Sequence, residues 1–120
     1  MEIRGRCKVL RVYLGEDERW KGRSLVDMMM KGLMKAGVAG ATVYRGIEGF
    51  GASSRIHSTR LLEVMEDLPV ILEVVDKPVR VLKALNFVEG MLPAHCLVTL
   101  QDVKVLHYRS SGKHSRTCRL

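Results

Sequence analysis

The chain has 120 residues, which is enough for one domain and too few for two. Hydrophobic residues make up 47% and aromatic residues only 5%, so the core must be aliphatic. The net charge of +7 suggests a nucleic-acid partner, but residues 109–120 alone carry four basic residues and no acid, which leaves residues 1–108 only mildly basic. Their aromatic residues are scattered, unlike a base-stacking platform, so the composition argues against nucleic-acid binding.

Localisation and redox chemistry follow from simple absences in the sequence. No apolar run approaches the ~20 residues that a membrane-spanning helix needs, and no apolar signal region follows the first charged residues. We therefore expect a cytoplasmic protein with no membrane insertion. The three cysteines, Cys7, Cys96 and Cys118, contain no close pair, which disfavours a disulfide framework and a closed zinc site.

The first third of the chain predicts a strand followed by a helix. Residues 7–14 alternate loosely and are rich in Val, Leu and Tyr, and residues 15–23 are a charged loop. Ser24 is the expected N-cap of a helix that runs to about Ala36 and stops at Gly37. The apolar stripe of this helix is predicted from helical spacing: Val26, Met29, Met30 and Leu33.

The middle of the chain predicts two strands joined by a glycine-containing loop. Residues 42–47 form the second strand, and residues 58–65 are expected to be extended or to form a short helical turn. Residues 68–75 are almost continuously apolar, which is typical of a strand buried on both faces. Two helices can cover only one face of a small sheet. We therefore expect another copy of the chain to cover the other.

The last third predicts a second helix and a final strand. Asp76 is the expected cap, Pro78 stands in the first turn and Pro93 closes the helix. Its predicted apolar stripe is Val81, Leu82, Leu85, Val88 and Leu92. Residues 97–100 and 103–108 form the last strand, with a turn or bulge expected at residues 101–102.

The order strand, helix, strand, strand, helix, strand predicts an α+β protein with the ferredoxin-like βαββαβ fold, an antiparallel sheet with two helices on one face. We expect residues 1–108 to form this domain. Residues 109–120 have no hydrophobic pattern and are expected to be a basic, disordered tail.

The glycine stretch, residues 45–57, is the candidate functional segment. Glycines let backbone N–H groups approach an anion closely, and nearby arginines and lysines add positive charge for a phosphate. The predicted ligand-binding residues are Lys21, Arg45, Gly46, Glu48, Gly49, Gly51, Arg55 and Arg60. Two alternatives stay open: the glycines serve only a tight turn or bulge, and Glu48 either pairs with Arg45 or Arg55 or is a solvated acid.

No enzyme chemistry is predicted. No paired acids and no nucleophile with a base can be identified. His57 is expected to be a surface residue, and the acidic run at residues 16–18 a solvated one. His95 and Cys96 are neighbours in an extended segment and point to opposite faces, so we expect no metal site there.

Residues 39–51, AGATVYRGIEGFG, resemble the signature of the family known as domain of unknown function 190. Residues 13–16, 67–70 and 73–76 do so as well, and the resemblance covers roughly residues 8–108. Met65 and residues 91–96 depart from the pattern. That family is similar to the PII signalling proteins. The resemblance implies a homotrimer and a mobile loop at about residues 49–60.

The resemblance also implies an adenine nucleotide as the candidate ligand in the clefts between subunits, with no cofactor certain, and a membrane transporter or an enzyme as the partner contacted by the loop. The first alternative is a structural or protein-interaction trimer with no small-molecule ligand. The second, which we expect less, is weak nucleic-acid binding through the basic tail.

Overall fold

A four-stranded antiparallel sheet with two helices on one face forms the structure, a computed structural model that describes residues 1–50 and 68–111. The sheet order is β4-β5-β1-β6, and β2 and β3 form a separate ribbon. This arrangement confirms the predicted ferredoxin-like fold. The elements are β1 (Gly5–Gly15), β2 (Arg19–Trp20), β3 (Arg23–Ser24), α1 (Leu25–Ala36), β4 (Ala41–Arg45), β5 (Pro69–Asp76), α2 (Pro78–Glu89) and β6 (Leu97–Val105).

The core lies between the helices and one face of the two central strands. Side chains of a strand alternate between faces, so every second residue of β1 and β5 enters this core. The register places Leu10 opposite Val74 and Val12 opposite Leu72. These residues pack in one cluster with the buried residues of both helices: Leu25, Met29, Leu33, Val81, Ala84 and Val88. Neither described helix is long and apolar enough to cross a lipid bilayer.

Helix α1 begins and ends as the sequence predicts. The Ser24 hydroxyl accepts a hydrogen bond from the Asp27 N–H at 3.2 Å, and Gly37 adopts a left-handed conformation with φ of 87°. Met29 and Leu33 of the predicted stripe are fully buried, whereas Val26 and Met30 are only partly buried. Leu25, which is absent from the predicted stripe although it lies four positions before Met29, completes the buried face.

Helix α2 corrects three details of the prediction. It starts at Pro78 as expected, but its N-cap is Lys77, which makes no side-chain capping bond. It ends at Glu89 before Gly90, and not at Pro93, because glycine is a poor helix former. Leu82 is 46% exposed, and Ala84 takes the predicted place in the core.

Strand β6 corrects a fourth detail. It is continuous from Leu97 to Val105 and pairs with β1 throughout, so no turn or bulge interrupts residues 101–102. The polar pair at that position is accommodated because β6 lies at the edge of the sheet. Gln101 accepts a hydrogen bond from Arg11 at 2.7 Å, and Asp102 accepts one from Lys8 at 2.7 Å.

The charged loop at residues 15–23 contains the short β2–β3 hairpin, which the sequence pattern did not reveal. Lys21 and Gly22 form its turn with φ values of 50° and 82°. Two successive positive φ angles are typical of the type I′ turn that closes tight hairpins. Two-residue strands are too short to show an alternating pattern.

The first and last described residues of the chain pair with each other. The Ile3 N–H donates to the Tyr108 carbonyl at 3.1 Å, and the Ser110 N–H donates to the Met1 carbonyl at 2.9 Å. The predicted basic tail thus begins with residues that contact the N-terminal segment. Residues 112–120 lie outside the described residues, as does the predicted segment 58–65, so the domain boundary at residue 108 stays a prediction.

Asp76, the last residue of β5, connects this strand to two other segments. Its carboxylate is fully buried, and its two oxygens accept hydrogen bonds from the N–H groups of Ala39, at 2.8 Å, and Lys77, at 2.7 Å. The Arg80 guanidinium lies 3.3 Å from the same carboxylate. The predicted helix cap is therefore a buried tie between the α1–β4 turn, β5 and α2.

Asp76→Ala should lower the free energy of unfolding by about 3–5 kcal/mol, because it leaves buried N–H groups and a guanidinium without their acceptor. Urea denaturation followed by circular dichroism measures this loss. Asp102→Ala is the matched control: its carboxylate also accepts a hydrogen bond from a basic side chain but is largely exposed, so stability should change little. Equal losses in the two variants would contradict the role given to Asp76.

Candidate functional site

The start of the glycine stretch packs closely on Pro69, the first residue of β5. The Gly46 N–H donates to the Pro69 carbonyl at 2.7 Å. A Cβ on Gly46 would lie 2.9 Å from Pro69 Cγ, and one on Gly49 would lie 3.2 Å from it. These two glycines are therefore required for a close approach and not for a left-handed backbone, since neither has a positive φ.

This packing bears on the predicted anion contacts. The Gly46 N–H is already used by Pro69, so it is not free to bind a phosphate in this structure. Gly49 lies within the described residues, whereas the stretch from residue 51 onward lies outside them. Gly51, Arg55, Arg60 and His57 lie outside the described residues. Ligand binding by these positions stays a prediction.

Arg45, at the end of β4, forms an ion pair with Glu16, which directly follows β1. Glu16 is held in place by its own N–H, which donates to the Leu68 carbonyl at 2.8 Å. The described partner of Arg45 is thus Glu16, and Glu48 is exposed. Glu16 was expected to be one member of a solvated acidic run, and that expectation is wrong for this residue.

A groove of about 500 Å³ lies beside this ion pair. It lies between the start of α1 and the ends of the neighbouring strands. Its lining consists of Glu16, Ser24, Val26, Asp27, Val43, Arg45 and Val70. Two carboxylates and one guanidinium face the groove, and the guanidinium is already paired with one of the carboxylates. The described residues alone therefore give a site that is not electropositive enough for a phosphate chain.

Lys21 does not join this group. It stands at the tip of the β2–β3 hairpin, where its ammonium lies 5.3 Å from the centre of the Trp20 ring. This distance is typical of a cation–π contact. Of the eight predicted ligand residues, the groove is lined by Arg45 alone within the part of the chain that the structure describes.

The face of the sheet away from the helices carries an exposed apolar row. Cross-strand pairing aligns Tyr44 with Ile71, Ile71 with Tyr13, and Tyr13 with Leu97, across all four strands. Tyr13 is 37% exposed, Tyr44 44% and Leu97 53%. We call these four residues the apolar row. It lies at the same end of the sheet as the groove beside Arg45 and Glu16, which we call the Arg45 groove.

The opposite end of this open face contains a second groove, of about 430 Å³. It is largely apolar and is lined by Ile3, Val75, Val105, Leu106, His107 and Tyr108. Two hydrogen bonds hold Tyr108 in place. Its hydroxyl donates to the Ala39 carbonyl at 3.2 Å, and its own carbonyl accepts from the Ile3 N–H. The terminal segments therefore cover this end and leave the apolar row uncovered.

The two described cysteines are free thiols. Cys7 is buried on the open face of β1. Cys96 is partly buried, and its Sγ lies 3.4 Å from the Tyr13 carbonyl. Burial, with a further contribution from Glu18, raises the pKa of the Cys96 thiol. A raised pKa disfavours the thiolate that nucleophilic or metal-binding chemistry requires.

The element order and strand pairing define an α+β protein of the ferredoxin-like class. Within that class, residues 7–105 match the family DUF190, described as "Uncharacterized ACR, COG1993". The chain belongs to this family. A UPF0166 protein of Aquifex aeolicus (strain VF5) is 31% identical over 100 residues, which are 83% of this chain and 93% of that protein.

Solved structures with a similar fold are PII-like proteins. The structure of CPII bound to ADP and bicarbonate, from Thiomonas intermedia K12, has a TM-score of 0.60 and 20% identity over 83% of this chain and 88% of that chain. A putative PII-like signaling protein (TTHA0516) from Thermus thermophilus has a TM-score of 0.58 and 17% identity, over 85% and 91%. Both confirm the predicted PII-like fold.

Gly46→Ala should lower the melting temperature, because its Cβ would press against the Pro69 ring and force a local shift. Differential scanning calorimetry measures the change, and Pro69→Ala in the same chain should restore part of it. Gly40→Ala is the control, since a Cβ there meets nothing within 4 Å. An equal effect at both glycines would show that the close approach to Pro69 is not what Gly46 provides.

Proposed function

We propose that the protein is a PII-like regulatory protein that forms a homotrimer and binds an adenine nucleotide in a cleft between subunits. The nucleotide orders the glycine-containing connection between β4 and β5 and changes which partner the trimer contacts. The observation that carries the proposal is the uncovered apolar row next to the Arg45 groove, whose described lining has too little positive charge for a phosphate chain. Both lie at one end of the sheet, on either side of the edge strand β4.

The apolar row supports assembly. In a monomer, the large side chains of Tyr13, Tyr44 and Leu97 leave apolar surface in water. Burying them against a second copy removes that surface from water. The row is continuous across all four strands. A second copy seated on it extends past the edge of β4 toward the Arg45 groove.

The Arg45 groove supports a site completed by other residues. Glu16 and Asp27 repel a phosphate chain, and Arg45 alone does not offset them. Further positive charge comes from a neighbouring subunit or from Arg55 and Arg60, which the sequence places in the connection between β4 and β5. The CPII protein with the similar fold is described as bound to ADP and bicarbonate, which makes a nucleotide the first ligand to test.

Isothermal titration calorimetry with ATP, ADP and AMP tests this proposal, with thermal shift as a second readout. At least one nucleotide should raise the melting temperature, and Arg45→Gln should weaken its binding roughly ten- to a hundredfold, since a charge-assisted hydrogen bond contributes roughly 1.5–3 kcal/mol. Lys83→Gln, an exposed charge change on α2, should bind as the unchanged protein does. A protein that binds none of the three nucleotides contradicts the ligand part of the proposal.

A structural or protein-interaction trimer without a small ligand is the second candidate. The acidic lining of the groove and the occupied Gly46 N–H favour it. This candidate predicts an unchanged trimer in the presence of nucleotides and partner binding that ignores them. Pull-down of a partner from cell extract, repeated with and without ADP, distinguishes the two candidates.

Leu97→Ser should shift the assembly toward monomers, because it places a hydroxyl in the proposed interface where apolar surface would be buried. Size-exclusion chromatography with light scattering gives the mass directly. Leu82→Ser is the matched control: Leu82 is exposed to a similar extent, 46% against 53%, but lies on the outer side of α2. If Leu82→Ser dissociates the assembly and Leu97→Ser does not, the interface lies on the helices.

A further inference from the structure

A polar row crosses the centre of the open face, directly beside the apolar row. The strand register aligns Thr42 with Glu73, Glu73 with Arg11, and Arg11 with Thr99. At its middle, Arg11 Nε donates to Glu73 Oε2 at 2.8 Å. We call the Arg11–Glu73 contact the central ion pair. It lies on the two inner strands, β1 and β5.

The central ion pair is held by several contacts within one subunit. Arg11 Nη1 also donates to Gln101 on β6 at 2.7 Å, so the guanidinium is fixed from both neighbouring strands. The hydrogen bond to Glu73 is the largest cause that raises the pKa of Arg11, and Tyr44 on β4 adds to it. Arg11 thus interacts with residues of all three other strands, and its planar group is held in one orientation.

The same groups keep capacity for a second chain. A guanidinium has five N–H donors, and a carboxylate accepts several hydrogen bonds. Among the described residues, the hydrogen bonds to Glu73 and Gln101 use two of these five donors, so donors on Arg11 remain for Tyr44 and for an acceptor outside the subunit. Because a donor and an acceptor of opposite charge lie side by side, an identical surface offers the matching pair. A second copy of this chain is therefore the occupant whose charges fit the row.

The two rows differ in what they can specify. Apolar side chains adhere in many registers, because burial of apolar area has no direction. A charged pair that a partner covers is costly unless its remaining hydrogen bonds are satisfied, and few registers satisfy them. Polar residues within apolar interfaces are known to fix register and oligomeric state at some cost in stability.

We propose that the central ion pair fixes the register in which subunits pack on the open face, and thereby the number of subunits, while the apolar row provides most of the adhesion. This inference rests on the proposed trimer. It assigns to Arg11 and Glu73 a role in choosing one symmetric assembly over others, in addition to their contacts within the subunit.

Native mass spectrometry and sedimentation velocity of matched full-length variants test the inference. Arg11→Met with Glu73→Leu removes both charges and keeps apolar bulk, so the subunits should still associate but as a mixture of stoichiometries. Arg11→Met alone leaves Glu73 as a covered, unpaired charge and should weaken association by about tenfold or more. Arg11→Glu with Glu73→Arg restores opposite charges in the same row and should return the population toward one stoichiometry.

Lys8→Met with Asp102→Leu is the control, because that pair has the same 2.7–2.8 Å contact length but lies on the helix side of the sheet. It should leave the stoichiometry unchanged. If the Arg11→Met, Glu73→Leu protein keeps the same single stoichiometry as the unchanged protein, the inference is overturned while the proposed trimer stands. If the unchanged protein is a monomer, the trimer itself is wrong, and the two failures are thus distinguishable.

Discussion

The structure depends on a difference between the two faces of one sheet, because the helices cover one face and leave the other open. The alternating residues of β1 and β5 give the helix side an aliphatic core that is complete within the subunit. The same alternation sends Tyr13, Ile71 and Tyr44 to the other side, where no helix of the described chain covers them. The described residues contain two helices, both on the core side, and no further layer over the open face. Association with copies of itself is the simplest way to bury that face.

The segment after β4 is positioned by contacts that begin inside the subunit. The Pro69 carbonyl accepts the hydrogen bond from the Gly46 N–H. Gly46 and Gly49 can approach the Pro69 ring this closely because they lack a Cβ. Arg45 is held by Glu16, so the end of β4 is tied to the end of β1. The connection to β5 therefore leaves the sheet from a fixed base. A ligand or partner that acts on residues 51–67 would act on a segment whose starting point is rigid.

Sequence reasoning reached the fold because each element carried its own signal. Ser24 and Gly37 mark the ends of α1, Pro78 marks the start of α2, and the aliphatic run at residues 68–75 marks a central strand. It failed where a residue's role depends on distant partners. Asp76 has the sequence context of a helix cap, but the turn after α1 brings the Ala39 N–H to it and makes it a buried tie. Leu82 has helical spacing, but it is exposed, and Ala84 is buried in the core instead.

The candidate site was less predictable for the same reason. Glycines and arginines near residue 45 predict a ligand site at the end of β4, which stays a prediction. Nothing local in the sequence indicates that Glu16 would pair with Arg45, since 29 positions separate them. The arrangement of Tyr13, Tyr44, Ile71 and Leu97 in one row likewise follows only from the register of three strand pairs. A residue pattern along one strand can show that a side chain faces outward, but it cannot show which residues of other strands lie beside it.

The central claim is that the open face of the sheet is an interface between copies of this chain. Sedimentation equilibrium of the full-length protein, over a hundredfold range of concentration, tests it most directly. The account predicts one species with the mass of three 13.5 kDa chains. A single species with the mass of one chain at every concentration would contradict it, because the apolar row would then be exposed to water in the functional protein.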